Sequence, residues 1–353
     1  MPRLALALLL TSALPGCGDS ASPTDGGGDL AGPRDLAAAA DLPAAGDLAE
    51  APDLAAVPDL AATGDLAAPI TWSPRASGLA ESLYGIWGAG PSELYAVGGN
   101  GAILKSSDGK SWSKLPSGTT SALRAVWGSG ADSVFVGGDD GTLLQSRDGG
   151  KSWSKLGSGV QSHLLALHGA DAKSLWAVGD GATILATTDG GATWKRQTAP
   201  IQKRFRAVLA ISPTFIVAGG DENHEIYTMD GGAVWKDRWI ATMGKESITG
   251  IAGAGPKALF MVADDGTIRR SFDGLIWPLQ QGAPASPLRG VWAASDSEAF
   301  VVGDGGRILR GTVAGMPFVP LGSGTTKDLF AVWGSAPGDV YAVGAGGTIL
   351  HRP

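Results

Sequence analysis

The chain of 353 residues has one cysteine, Cys17. An intrachain disulfide is excluded, so whatever folds is held by packing alone. Histidine and tyrosine are scarce too, at four each. His163, His168, His224 and His351 show no metal-ligand spacing. The apolar run Leu4 to Leu10 is too short to cross a bilayer. No stretch sustains a helical apolar period, which argues against a helical body. A large charge of one sign is missing from residues 70–353, which carry 24 acidic and 25 basic side chains. Nothing there calls for a nucleic-acid partner.

The acidity sits elsewhere. Residues 18–69 hold ten acids and one base, and Asp-Leu recurs at 29, 35, 41, 47, 53, 59 and 65 with a period of six. Six residues are two turns of a polyproline II helix, which would align the leucines. The segment has too little apolar surface to order itself, so it reads as a spacer. Its span is about 40 Å as a coil and about 160 Å if fully extended in polyproline II. A partner-docking ladder is the alternative.

Ahead of it, MPRLALALLLTSALPGCGDS reads as an export signal. Leu14-Pro15-Gly16-Cys17 resembles a bacterial lipoprotein lipobox, from which Pro15 departs. The resemblance implies cleavage before Cys17, its lipidation, and anchorage in the cell envelope, at the outer membrane or cell surface in preference to the inner membrane. A plain signal with an incidental cysteine is the alternative. The domains are thus a signal at 1–16, a lipid-anchored disordered linker at 17–69 and a folded head at 70–353.

The head repeats. Residues Trp87, Trp127, His168, Leu209, Ala252, Trp292 and Trp333 occupy equivalent places, 40 to 43 apart. Short strands at that period predict the blades of a propeller. In 121–159, LRAVWG, SVFVGG, TLLQS and SWSKL read as four strands, with Asp-Asp-Gly (139–141) as a tight hairpin turn. A second landmark, the aromatic opening each fourth strand, gives Trp72, Trp112, Trp153, Trp194, Trp235, Trp277 and Phe318. Trp72 precedes the first inner strand, and the last unit ends after three strands. The prediction is an all-β, seven-bladed propeller of four-stranded antiparallel blades, closed by the N-terminal strand.

A box such as Ser146-Arg147-Asp148-Gly149-Gly150…Trp153 recurs around Asp108, Asp148, Asp189, Asp230 and Asp273, and decays in the sixth repeat. An Asp at a turn accepts backbone N–H bonds, and glycine supplies positive φ. A group needed five times is a structural one, and a catalytic group is not. These boxes resemble the Asp-box, or BNR, repeats of sialidases. The segment LRAVWGSGADSVFVGGDDGTLLQSRDGGKSW (123–153) is more similar to a repeat of the photosystem II stability and assembly factor family. That resemblance implies a seven-bladed propeller and specifies function weakly.

Candidate sites fall near the predicted channel mouth. Three residues before the inner landmark stand Tyr84, Arg124, Leu165, Arg206, Thr249, Arg289 and Phe330. Arg124, Arg206 and Arg289 predict a site for a carboxylate or phosphate, flanked by Tyr84 and Phe330. The competing reading pairs each Arg with an Asp of a neighbouring blade. No metal site is assigned. The alternative has Asp139, Asp180, Asp264 and Asp304, in the second-to-third-strand turns, take Ca²⁺. Asp221-Glu222-Asn223-His224 reads as the longest such turn, and His168 as a core residue. Four tyrosines and no sialidase-type Arg-Ile-Pro start point away from glycosidase chemistry. The expected function is a monomeric platform that binds an envelope protein or an anionic or carbohydrate ligand, without a cofactor. An Asp-box glycoside hydrolase and a surface adhesin are the alternatives.

Overall fold

The computed structural model describes residues 71–240, 245–281, 286–312 and 317–353. The expected signal, Cys17 and the Asp-Leu segment lie outside the described residues. Within them the protein is seven four-stranded antiparallel sheets, and no α-helix is present. Blade 2 shows why. Its inner, second, third and outer strands are Leu123–Gly130, Ser133–Gly138, Leu143–Ser146 and Ser154–Lys155. The second and third strands are buried on both faces and apolar apart from Ser133, Gln145 and Ser146 at their ends, while the outer Ser-Lys pair is exposed. A central strand packed on both sides needs that continuous run.

The turn between second and third strands is set by Asp140 (φ 56°) and Gly141 (φ 64°). The Thr142 N–H closes it onto the Asp139 carbonyl. Two successive positive φ values match the twist of the strands that they join. A Cβ at Gly141 would stand 2.0 Å from the Val160 carbonyl oxygen. Asp221–Asn223 forms the same three-residue turn, with Glu222 and Asn223 at φ 56° and 60°. The expectation of an unusually long turn there is thus corrected. Asn substitutes for the usual Gly because it too tolerates the left-handed region.

Blade 7 is composite. Its inner three strands are Leu329–Ala336, Asp339–Gly344 and Ile349–Arg352. Its outer strand is Ser73–Arg75, antiparallel to the last strand with Ser73 opposite His351 and Arg75 opposite Ile349. Trp72, 5% exposed, anchors this junction by packing with Phe300, Leu329 and Val340.

The core is divided rather than central. Among the described residues it forms seven apolar clusters, one in each seam between adjacent blades. In the seam of blades 1 and 2, Tyr95, Val97 and Ile103 meet Leu123, Val134 and Leu144. Each blade therefore stabilises two neighbours, and the ring must close for the terminal blades to bury both faces.

Candidate functional site

The box recurs around five aspartates, one in each of blades 1 to 5. The Ser146 hydroxyl donates to Asp148 Oδ1 at 2.8 Å and accepts the Gly150 N–H at 2.7 Å. The Ser152 N–H and hydroxyl donate to the two Asp148 oxygens at 2.9 and 2.6 Å. Those donors, the Ser152 hydroxyl above all, hold the Asp148 carboxyl down at about 2. Asp108, Asp189, Asp230 and Asp273 are bound in the same way. The box also reaches across blades. Trp153 meets Tyr95 of blade 1 edge-on, with centroids 6.4 Å apart. Lys105 of blade 1 donates to the Gly149 carbonyl, and Gln145 of blade 2 donates to the Gly190 carbonyl.

The channel mouth lies at the opposite ends of the strands. In every blade the register between inner and second strands slips near the start of the inner strand, as between Leu83 and Gly85 or Leu123 and Ala125, and in blades 1, 2 and 7 it slips again at the far end. The residues slipped near the start are Tyr84, Arg124, Leu165, Arg206, Thr249, Arg289 and Phe330. A β-bulge leaves its extra residue unpaired and re-aims the side chain. All seven are half-buried at the rim.

The structure brings three predicted residues together. The Phe330 and Tyr84 rings lie 5.7 Å apart, and the Arg124 guanidinium sits 4.5 Å over the Tyr84 ring. The three arginines do not form one open cluster. Arg124 grips Asp139 with bonds of 2.8 and 2.9 Å, and Arg289 grips Asp304 with 2.7 and 2.6 Å. Arg206 donates to Asp221 at 2.6 Å. Each arginine is paired with an aspartate, as in the competing reading, but the partner lies in the arginine's own blade and not in a neighbouring one. The bulge sets the Arg beside the first residue of the following turn, 15 positions on. The Arg124 hydrogen bonds in turn lower the Asp139 pKa.

The four turn aspartates are spread one per blade. Asp180 pairs with Arg204 at 2.6 Å, and Asp264 accepts the Ser247 N–H. Among the described residues no three His, Cys, Asp or Glu side chains come close enough to share a metal ion. Tyr95 and Tyr341 are sealed in seams, at 0% and 2% exposure.

Below the mouth, the inner landmarks line a cavity of about 270 Å³ along the axis. His168 faces it, and so is not the core residue expected from the sequence. Its Nδ1 accepts the Ala210 N–H at 3.2 Å, which leaves the proton on Nε2. Desolvation lowers its pKa to about 4.

One further feature escaped sequence reasoning. Met229, Val234, Phe272 and Ile276 are 54–70% exposed on the box turns of blades 4 and 5. Blades 1 to 3 carry Ser, Thr or Arg at the matching places, such as Ser107, Arg147 and Thr193. This break in an otherwise polar repeat was the available signal.

The fold and these boxes define the class: a closed seven-bladed propeller built from BNR-type repeats. Residues 147–281 match the family model described as photosynthesis system II assembly factor YCF48. The chain is a BNR propeller like those of that family. Among solved structures it is similar to YCF48 bound to D1 peptide, at 14% identity and TM-score 0.66 over 80% of this chain and 94% of that one. YCF48 from Cyanidioschyzon merolae gives 17% and 0.65 over 80% and 98%. A streptogramin B lyase gives 13% and 0.68 over 80% and 97%, so the shared fold does not select a chemistry. No curated protein sequence matches the chain.

Proposed function

We propose that the protein is an exported, lipid-anchored binding platform whose head takes a polypeptide segment at the channel mouth. The observation that carries this reading is the contiguous crest Phe330–Tyr84–Arg124, raised by three adjacent bulges. Aromatic rings backed by an arginine are the side chains that dominate protein interfaces. The surrounding rim is polar and charge-paired, by Arg206–Asp221, Arg289–Asp304 and Lys203–Glu222. A simple anion must compete with an internal carboxylate for each arginine. A polypeptide covers the aromatic crest and offers its own pairs to the rim, so it fits better than phosphate or a sugar. The D1 peptide bound by YCF48 supports the same class of partner. Anchorage at Cys17 rests on the lipobox-like Leu14–Cys17 and puts the head at the cell envelope.

The test is affinity capture from an envelope fraction with the full chain and with Tyr84→Ala/Arg124→Ala/Phe330→Ala. The expected outcome is a protein retained by the wild type and lost from the triple variant at an unchanged Tm, with no turnover of fluorogenic glycosides. Equal retention by both chains refutes the mouth. Labelling with a fatty-acid analogue that disappears in Cys17→Ser checks the anchor.

A further inference from the structure

The axial cavity has side-chain polarity of one sign. Trp87, Trp127, His168, Trp292 and Trp333 come from five consecutive blades of the ring, 6, 7, 1, 2 and 3, and all line the lumen. Other tryptophans, such as Trp72, Trp112 and Trp153, have their indole N–H sealed from solvent. The four lumen indoles are not sealed, and no protein acceptor takes their N–H among the described residues. His168 keeps its one acceptor nitrogen occupied by Ala210 and likewise has no protein partner for Nε2. No charged side chain lines the cavity. Blades 4 and 5 fill the remaining arc with Leu209, Ile251 and Ala252, which offer methyl groups alone.

The indoles are held in place. The Trp87 ring stacks on Tyr95 with centroids 6.3 Å apart, and Trp292 on Phe300 at 6.1 Å. A Cβ at Gly128 would stand 2.4 Å from the tip of Trp87, and one at Gly334 would stand 2.6 Å from Trp292. The donors are thus fixed in advance, which removes the ordering cost of binding. A hydrogen bond from such a donor to an ionised acceptor is about twice as strong as one to a neutral acceptor.

We propose that the channel is a binding site for a small amphipathic carboxylate. Its oxygens lie on the arc of Trp87, Trp127, His168, Trp292 and Trp333 N–H groups, and its apolar body lies against Leu209, Ile251 and Ala252. This site is independent of the polypeptide site at the mouth.

Benzoate is the probe, titrated into the ¹⁵N-labelled full chain while the indole ¹H–¹⁵N signals are followed. The expected result is saturable shifts, at about millimolar benzoate, of the signals that vanish in the Trp→Phe variants at 87, 127, 292 and 333. Trp112 and Trp153 stay still. Benzyl alcohol and benzyltrimethylammonium, which lack the anionic oxygens, bind about tenfold more weakly or not at all. His168→Phe keeps the bulk, removes a donor and weakens benzoate about fivefold; Trp292→Phe does the same should the first variant fail to fold. The proposal falls if benzoate moves no lumen indole, if the cation or alcohol binds equally well, or if the folded donor variants bind benzoate as the wild type does.

Discussion

Asp148 and its equivalents Asp108 and Asp189 each accept backbone and hydroxyl donors, and each is held at about 2 against an ordinary 3.8. A depressed folded-state value contributes stability above the unfolded value and loses it as pH falls toward the folded one. A loss of stability is therefore expected as pH falls from about 4 to about 2. Asp148→Asn should lower the Tm near neutrality and flatten that acid loss, as thermal melts across the range will show. Glu225 has the opposite sign. Desolvation between blades 4 and 5 raises it from 4.5 to about 7, against the Arg238 charge on the neighbouring strand, and its side chain is fully buried. Its stabilising share is present below the unfolded value and lost as pH rises through about 7. Glu225→Gln should match the wild type at about pH 4 and exceed it at about pH 8, by up to about 3 kcal/mol.

At the scale of the inner strand, two devices operate in sequence. The bulge turns one side chain to the rim, and three residues later a tryptophan reaches over a glycine of the next blade. Trp333 covers Gly88, Trp87 covers Gly128, Trp127 covers Gly169 and Trp292 covers Gly334. His168 continues the same direction by accepting the Ala210 N–H of blade 4. Gly128→Ala should therefore cost about 1–3 kcal/mol by overpacking. Trp87→Phe in the same chain should recover part of it, a coupling that a double-mutant cycle in denaturant will measure. A simple additive loss would mean that the indole does not oppose the new methyl group.

For the whole molecule, closure decides stability. Trp72 and Ser73–Arg75 cover the edge of Ile349–Arg352 and complete the seam of blades 6 and 7. Trp72→Ala should cost about 3–5 kcal/mol. A chain starting after Arg75 should bare an unpaired strand edge and associate, which light scattering will detect. The ring is also uneven around its axis. Blades 4 and 5 carry the exposed Met229, Val234, Phe272 and Ile276, and the same blades have no indole in the channel.

Much of this was legible in the chain itself. Period, strand count, turn chemistry and the displaced Trp72 are local or counting features, and each repeat restates them in the same residues. Tyr84, Arg124 and Phe330 were also recognisable as equivalent positions, because the repeat fixes their offset from the tryptophan. What arises only on folding is which groups remain unsatisfied. Arg124 and Asp139 are 15 residues apart, and only the bulge and the hairpin set them side by side, so a charge that looked free is paired. His168 looked like core because a lumen wall and a seam are equally apolar in sequence. Only ring closure, which brings seven distant inner strands around one axis, separates the side chains that seal a seam from those left facing the channel.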